Sequence, residues 1–126
     1  MTTTHTRPVD LVLATLAAVD RGDIEEFLSF VADDVHHRFG NEPVVNDKTA
    51  FVAAASDVLS SMAGISHDVG EILEVDAGVV MAVMEVTYTR HDGRRVTLPC
   101  SNLFRVRDGL ITDYRVYVDL APVTDP

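Results

Sequence analysis

The stretch that decides the fold is residues 79–120, VVMAVMEVTYTRHDGRRVTLPCSNLFRVRDGLITDYRVYVDL. It is rich in Val, Thr, Leu and Tyr, and two Asp-Gly pairs, Asp92-Gly93 and Asp108-Gly109, divide it. Asp-Gly between apolar runs is a strong signal for a tight turn between antiparallel strands. With Gly78 as a third divider, the pattern predicts a meander of four antiparallel strands over residues 65–76, 79–91, 94–107 and 110–120.

The segment before this meander has helical periodicity instead. Pro8 suits the first position of a helix, where its missing N–H is not needed. Asp23, with a Glu three residues later, begins a second helix that we expect to end near Asp33. A short strand over 35–39 follows, and Asp47 then caps a third helix.

Length and composition describe one ordinary globular domain over residues 1–126. The chain has 126 residues, of which 47% are hydrophobic and 24% charged, which suits one substantial core. A sheet of this kind buries one face under helices. We therefore expect an α+β domain in which three N-terminal helices pack on the concave face of one curved, mixed sheet.

Charge and residue spacing exclude several kinds of partner. The formal net charge of −10 argues against nucleic acid and against an anionic membrane surface, since both require clustered Lys and Arg. Residues 1–6 precede no apolar run, and the longest apolar run, Val79–Met84, is too short to cross a bilayer. The single cysteine, Cys100, suits a cytoplasmic protein. His36 and His37 are strand neighbours with side chains on opposite faces, so we expect no metal site.

The meander strands differ in the polarity of the residues on their two faces. The last strand alternates, with Tyr114, Val116 and Val118 on one side. The run over 79–86 is apolar on both faces, which a half-solvated sheet would not tolerate. We expect a second copy of the chain to cover the convex face as a homodimer, through the apolar row Val80, Ala82, Met84 and Val86.

Similarity to a known family lies in five segments spread over nearly the whole chain. They are Asp20–Asp23 (DRGD), Phe30–Val35 (FVADDV), Gly40–Val45 (GNEPVV), Leu103–Arg115 (LFRVRDGLITDYR) and Val116–Leu120 (VYVDL). These segments resemble the SnoaL-like branch of the NTF2-like superfamily. The resemblance implies a cone-shaped α+β fold around an apolar small-molecule pocket. It does not imply one reaction, because the superfamily includes isomerases, hydrolases, cyclases and non-catalytic binders.

Limonene epoxide hydrolases of this superfamily use an Asp–Arg–Asp set, with a Tyr and an Asn that help to hold the attacking water. An alignment without gaps places their base at Val116, their Arg at Val83 and their acid at Glu85. The Tyr and the Asn fall at His37 and Phe39. Only the acid has a counterpart, so we do not expect epoxide hydrolysis by that mechanism.

Ketosteroid isomerases use an Asp base and an oxyanion hole made of a Tyr and a protonated Asp. Their base falls at Phe39, their Tyr at Thr15 and their oxyanion Asp at Asn102. Asn102 can still donate a hydrogen bond to a carbonyl, but the base is missing. In the polyketide cyclases an acidic residue acts on the substrate, and no motif places that residue here.

Glu85 is therefore the leading candidate for a catalytic residue. It interrupts an apolar run, and the alignment points it into the cavity, where a desolvated carboxylate can act as a general acid or base. The alternative is a solvated Glu, or one paired with an Arg across the hairpin. His37 and Asn102 would orient or polarise the substrate; otherwise both are core residues satisfied by the backbone. The expected substrate-binding residues are Thr15, Phe39, Val83, Thr87, Tyr114, Val116 and Val118.

The resemblance and these residues indicate a small-molecule enzyme that acts by general acid/base chemistry on an apolar, carbonyl-bearing substrate. A polyketide or terpenoid would suit a cyclase, isomerase or hydrolase of this kind, and neither a metal nor an organic cofactor is implied. One alternative is a non-catalytic module that only holds an apolar ligand. Another is an accessory domain that acts through the outer face of its sheet.

Overall fold

The computed structural model describes residues 7–125, so the polar segment 1–6, with His5, lies outside the described residues. Two helices, one strand and a third helix come before the four-strand meander. The elements are α1 (Pro8–Arg21), α2 (Ile24–Ser29), β1 (Val31–Phe39), α3 (Lys48–Ser60), β2 (Gly64–Asp76), β3 (Val79–Thr89), β4 (Arg95–Arg107), β5 (Leu110–Tyr117) and α4 (Ala121–Thr124). The α+β class and the four-strand meander are confirmed.

Three boundaries differ by three or more residues from the predicted ones. The second helix ends at Ser29, and the strand after it begins at Val31, because Val31 pairs with Ile111 of β5 in the sheet. The last strand ends at Tyr117, and a short helix that was not predicted follows it.

The predicted caps and turns have the expected local geometry. The Asp23 carboxylate accepts the backbone N–H of Glu26 at the start of α2, and Asp47 accepts that of Ala50 at the start of α3. In the last hairpin Asp108 and Gly109 both have positive φ, 54° and 75°. That pair of angles matches a turn whose twist suits right-handed strands.

The five strands form one mixed sheet in the order β1-β5-β4-β3-β2. β1 runs parallel to β5, and the other neighbours are antiparallel. α1 packs on β2 and α3 packs on β1, so the two longer helices contact opposite edges of the sheet. The largest fully buried side chains include Leu16 of α1, Phe51 of α3 and Phe104 of β4. None of the helices in residues 7–125 is both long and apolar enough to span a bilayer.

The structure reverses the predicted faces of β3. Its inward row is buried, with exposed fractions between 0% and 3%, and consists of Val80, Ala82, Met84 and Val86. Its outward row consists of Met81, Val83, Glu85 and Thr87. The row that was expected to form a dimer interface is therefore part of the core.

This error has a physical cause in the strand itself. Because β3 is apolar on both faces, its own pattern does not distinguish them, and a one-residue slip in an alignment turns every side chain to the other face. Pairing with β4 decides the matter: Ala82 lies opposite Asn102, and Met84 lies opposite Cys100. Directly opposed residues lie on the same face of a sheet. Ala82 and Met84 therefore lie on the inner face with the buried side chains of Asn102 and Cys100.

Candidate functional site

An apolar pocket lies between the helices and the concave face of the sheet. Its cavity volume is about 60 Å³, or about 590 Å³ when the space open to solvent is included, and side chains from α1, α2, α3 and all five strands line it. Its polar lining residues are His37, His67, Tyr88, Cys100, Asn102 and Tyr114. A few polar groups in a mostly apolar concavity are typical of a small-molecule site.

Five of the residues proposed from the sequence lie in this lining. They are His37, Phe39, Asn102, Tyr114 and Val116. They come from β1 and β5, where alternation predicted the inner face, and from β4, where the family resemblance predicted it for Asn102.

The remaining proposed residues lie elsewhere. Glu85 and Val83 are exposed on the outer face of β3, and the Thr87 hydroxyl hydrogen-bonds Thr97 Oγ1 there at 2.8 Å. Thr15 is fully buried within α1, where its hydroxyl donates to the Leu11 carbonyl. Val118 follows the end of β5, packs partly buried against the core and is not part of the lining.

The position of Glu85 removes it as the catalytic acid. Its strand neighbours across the sheet are Asp68 and Pro99, and all three residues are exposed. A carboxylate in bulk solvent has no access to a ligand on the other side of the sheet. The assignment is wrong for the same reason as the face of β3, because it rested on the same alignment.

His37 is held in one orientation with one ring nitrogen left for a ligand. Its Nδ1 lies 2.8 Å from the Tyr114 carbonyl oxygen, which can only accept, so Nδ1 carries the proton and Nε2 carries a lone pair. The Phe51 and Tyr114 rings meet the imidazole edge-on, with centroids 4.7 and 5.4 Å away. Burial lowers the pKa of His37, so the neutral ring is favoured.

Asn102 presents a hydrogen-bond donor to the same pocket. The Cys100 thiol donates to Asn102 Oδ1 at 3.2 Å, which leaves the amide NH₂ as the free end of the side chain. Within residues 7–125 this NH₂ group makes no hydrogen bond, and it is accessible from the pocket. A ligand carbonyl would supply the missing acceptor.

Two phenols and a thiol complete the polar lining. Burial raises the pKa of Tyr88 and of Tyr114, and it raises the pKa of Cys100 to about 11. All three groups therefore stay protonated near neutral pH and can donate hydrogen bonds rather than act as bases. In the described part of the chain, no group of three His, Cys, Asp or Glu side chains is arranged to hold a metal ion.

Two residues that no sequence pattern indicated are Asp20 and His67, of which His67 lines the pocket. Asp20 Oδ1 lies 2.6 Å from His67 Nδ1, and the same carboxylate lies 3.1 Å from the His67 backbone nitrogen. Asp20 lies in the last turns of α1 and His67 lies on the edge strand β2, 47 residues later. No spacing rule connects residues so far apart, although the alternation of β2 could have placed His67 on the inner face.

Comparisons with known proteins agree with this architecture. The family model of the SnoaL-like domain matches residues 12–114. No curated protein matches the chain.

Several solved structures are similar over nearly their whole length. A proposed polyketide cyclase from Xanthomonas campestris is 27% identical, with a TM-score of 0.78 and coverage of 93% of each chain. An NTF2-like protein of unknown function from Burkholderia pseudomallei is 17% identical, with a TM-score of 0.82 and coverage of 94% of this chain and 95% of that one. TerC, crystallised with polyporic acid, is 20% identical, with a TM-score of 0.80 and coverage of 94% and 95%.

Proposed function

Because the chain belongs to the SnoaL-like domain family, we propose that its pocket binds a small, largely apolar, carbonyl-bearing molecule and transfers a proton to or from it. The observation that carries this proposal is the pair of polar groups in the apolar pocket, His37 Nε2 and the Asn102 NH₂, that have no hydrogen-bond partner within the described residues. One is an acceptor and the other a donor.

Both groups face the space of the pocket, where a ligand that complements them would take the place of water. A carbonyl oxygen would accept from Asn102, and the hydrogen bond would strengthen as negative charge develops on that oxygen. A hydroxyl group on the same ligand would donate to His37. The apolar remainder of the lining favours a hydrocarbon or aromatic framework.

Two of the similar structures support this class of ligand. The chain resembles a proposed polyketide cyclase at 27% identity, and TerC of the same fold was crystallised with polyporic acid. A cyclic ketone or a related polyketide or terpenoid is therefore our proposed substrate class.

2-Tetralone, a small bicyclic ketone, tests the proposal. Binding is measured by saturation-transfer NMR, and proton transfer by the loss of the C1 proton signals in D₂O. Replacing Asn102→Leu removes the donor at similar volume and is expected to slow exchange by about 100-fold. Glu85→Gln is the matched control, because that carboxylate lies on the outer face, and it is expected to exchange at the wild-type rate.

Two results would contradict this assignment. Loss of exchange in Glu85→Gln with retention in Asn102→Leu would return the chemistry to the outer carboxylate. Binding of the ketone without any exchange above the buffer rate would instead favour the alternative, a non-catalytic module that holds an apolar ligand. Amide NMR spectra of each variant check that the fold is retained.

We also propose a homodimer through the outer face of the sheet. The row from Val80 to Val86 that first suggested it is buried in the core, so the proposal rests on other residues. Five apolar side chains form what we call the outer patch: Leu73, Met81, Val83, Leu103 and Tyr117. Leu73, Val83 and Tyr117 are 59%, 51% and 54% exposed. Exposed apolar side chains grouped on one face of a sheet are typical of an interaction site.

The charges around the outer patch indicate that its partner is a second copy. Carboxylates flank it on the β2–β3 side, from Asp68, Glu71 and Glu85. Guanidinium groups flank it on the other side, from Arg38, Arg105 and Arg115, and the last two share one carboxylate, that of Asp113. A two-fold axis parallel to the strands would lay the acidic side of one copy over the basic side of the other.

Sedimentation velocity at micromolar concentration tests the dimer. Wild-type protein is expected to be dimeric, and Val83→Asp monomeric, because it places a charge in the middle of the outer patch. Leu110→Asp, at an exposed position outside the patch, is the control and is expected to stay dimeric. A monomeric wild type would refute the interface.

A further inference from the structure

The contact between Asp20 and His67 has no part in the function proposed so far. It joins the last turns of α1 to the edge strand β2, and the His67 side chain lines the same pocket as His37 and Asn102. The His67 side chain is 11% exposed and that of Asp20 is 29% exposed, so the imidazole is mostly covered while the carboxylate stays partly open to solvent.

The geometry settles which nitrogen of His67 is available. An ionised carboxylate can only accept hydrogen bonds, so the nitrogen at 2.6 Å, Nδ1, must carry a proton. In the neutral ring the lone pair is then on Nε2. Within residues 7–125, Nε2 of His67 makes no hydrogen bond, and it is left for a molecule in the pocket.

The two pocket histidines have different second partners, and this gives them different chemistry. His37 Nδ1–H donates to a neutral backbone carbonyl inside a cage of aromatic rings, which does little to stabilise a positive charge. His67 donates to a carboxylate, which balances the charge that develops when the ring accepts a proton. The neutral ring of His37 is suited to binding, and the ring of His67 is suited to proton transfer.

We infer that Asp20 and His67 form the proton-transfer dyad of this pocket, with Nε2 of His67 as the general base and Asp20 as the positioning residue that orients the ring. This inference rests on the proposed function and names the group that performs its proton transfer. For a ketone, the proton moves from the carbon next to the carbonyl to Nε2, and the C–H bonding electrons form an enolate whose oxygen accepts from the Asn102 NH₂. Return of a proton from His67 completes the step without any oxidant or reductant.

Asp20 also has a structural task that must be separated from this role. Its carboxylate accepts the His67 backbone N–H, which points away from the sheet because β2 is an edge strand. Asp20→Asn keeps an oxygen for that N–H and for the ring but removes the charge. It therefore retains the link between α1 and β2 while weakening the base.

The experiment uses the full chain and the C1 deuteration of 2-tetralone. His67→Gln is expected to slow turnover of the bound ketone by about 100-fold or more, and Asp20→Asn by about 10- to 100-fold. Affinity for 2-tetralone, from the saturation-transfer titration, is expected to stay within about twofold in both, because a general base acts on the transition state rather than on binding. His91→Gln is the matched control, because His91 is an exposed histidine outside the pocket whose ring contacts the Ser60 carbonyl.

A second measurement does not depend on the ketone. In ¹⁵N NMR of the imidazole rings, neutral His67 is expected to show a protonated Nδ1 and an unprotonated Nε2, and this preference is expected to weaken in Asp20→Asn. A protonated Nε2 in the neutral wild-type ring would overturn the dyad.

The kinetic outcomes separate the two proposals. If His67→Gln deuterates C1 of 2-tetralone at the wild-type rate while Asn102→Leu does not, the pocket is catalytic. In that case the dyad assignment is wrong and the proposed function stands. If wild-type protein binds 2-tetralone without exchange above the buffer rate, both proposals fall together. Loss of exchange in His67→Gln and in Asp20→Asn, with His91→Gln unchanged, supports both.

Discussion

Replacing His37→Gln is expected to change how the free energy of unfolding depends on pH. Burial holds the pKa of His37 in the folded protein below its unfolded value, which is about 6.5. Well above pH 6.5 the ring is neutral in both states and contributes no pH dependence. As pH falls below 6.5, the unfolded chain binds a proton that the folded protein resists, so folding stability is lost.

The size of this effect follows from proton linkage. One proton bound only by the unfolded state gives a slope of at most about 1.4 kcal/mol per pH unit, between the unfolded pKa and the lower folded one. Because His37 is only 5% exposed, solvent screens this effect little. Between pH 7.5 and 5.5 we expect the wild type to lose up to about 1.4 kcal/mol more than His37→Gln, which lacks the titrating ring.

Urea denaturation at pH 7.5, 6.5 and 5.5, at one ionic strength and one protein concentration, measures the difference. Thr15→Val is the control, because this buried hydroxyl does not titrate and its stability difference from wild type should be the same at every pH. A constant difference between wild type and His37→Gln would refute the reasoning. It would show that the His37 ring is as easily protonated in the folded protein as in the unfolded chain.

Three further predictions concern positions outside this titration. Gly78→Ala should destabilise the protein by about 2 kcal/mol or more, because Gly78 has a φ of 72° and an added Cβ would lie 2.6 Å from the Val106 carbonyl oxygen. Gly93→Ala should cost only about 1 kcal/mol, because Gly93 has a φ of 89° but no atom lies within 4 Å of the added Cβ. If thermal denaturation gives the same loss of stability for both glycine variants, the close contact at Gly78 is contradicted. Asp47→Ala should cost about 1 kcal/mol in the same assay, because it removes the 2.7 Å hydrogen bond to the Ala50 N–H that caps α3. Cys100, buried and with its pKa raised to about 11, should react with a disulfide reagent at pH 8 about 100-fold more slowly in native protein than in urea, and rapid native labelling would show that the pocket opens readily.

Some features of this protein follow from local chemistry and could be predicted. The Asp-Gly turns at 92–93 and 108–109 and the caps at Asp23 and Asp47 depend on residues within a few positions of each other. The alternation of β5 and of the end of β1 likewise assigned Tyr114 and His37 to the inner face, where the structure has them. In these segments one face is polar or the turn is short, so only one arrangement satisfies the pattern.

The catalytic assignment depended on long-range pairing, which local patterns do not encode. Glu85 was placed in the pocket although it lies outside, because β3 is apolar on both faces and only its register with β4 determines which row is buried. Asp20 and His67 lie 47 residues apart, and no periodicity brings them together.

The sequence alone determined the class of fold, the order of its first eight elements, and the inner face of β1 and β5, which carries His37 and Tyr114. These features depend on turns, caps and two-residue alternation, which act over short distances along the chain. The tertiary structure alone decided which face of β3 is solvated. It alone also decided that the Asp20 carboxylate of α1 contacts the His67 imidazole of β2, which lines the pocket. Both depend on contacts between segments far apart in the chain, and those contacts exist only once the sheet has closed on its helices.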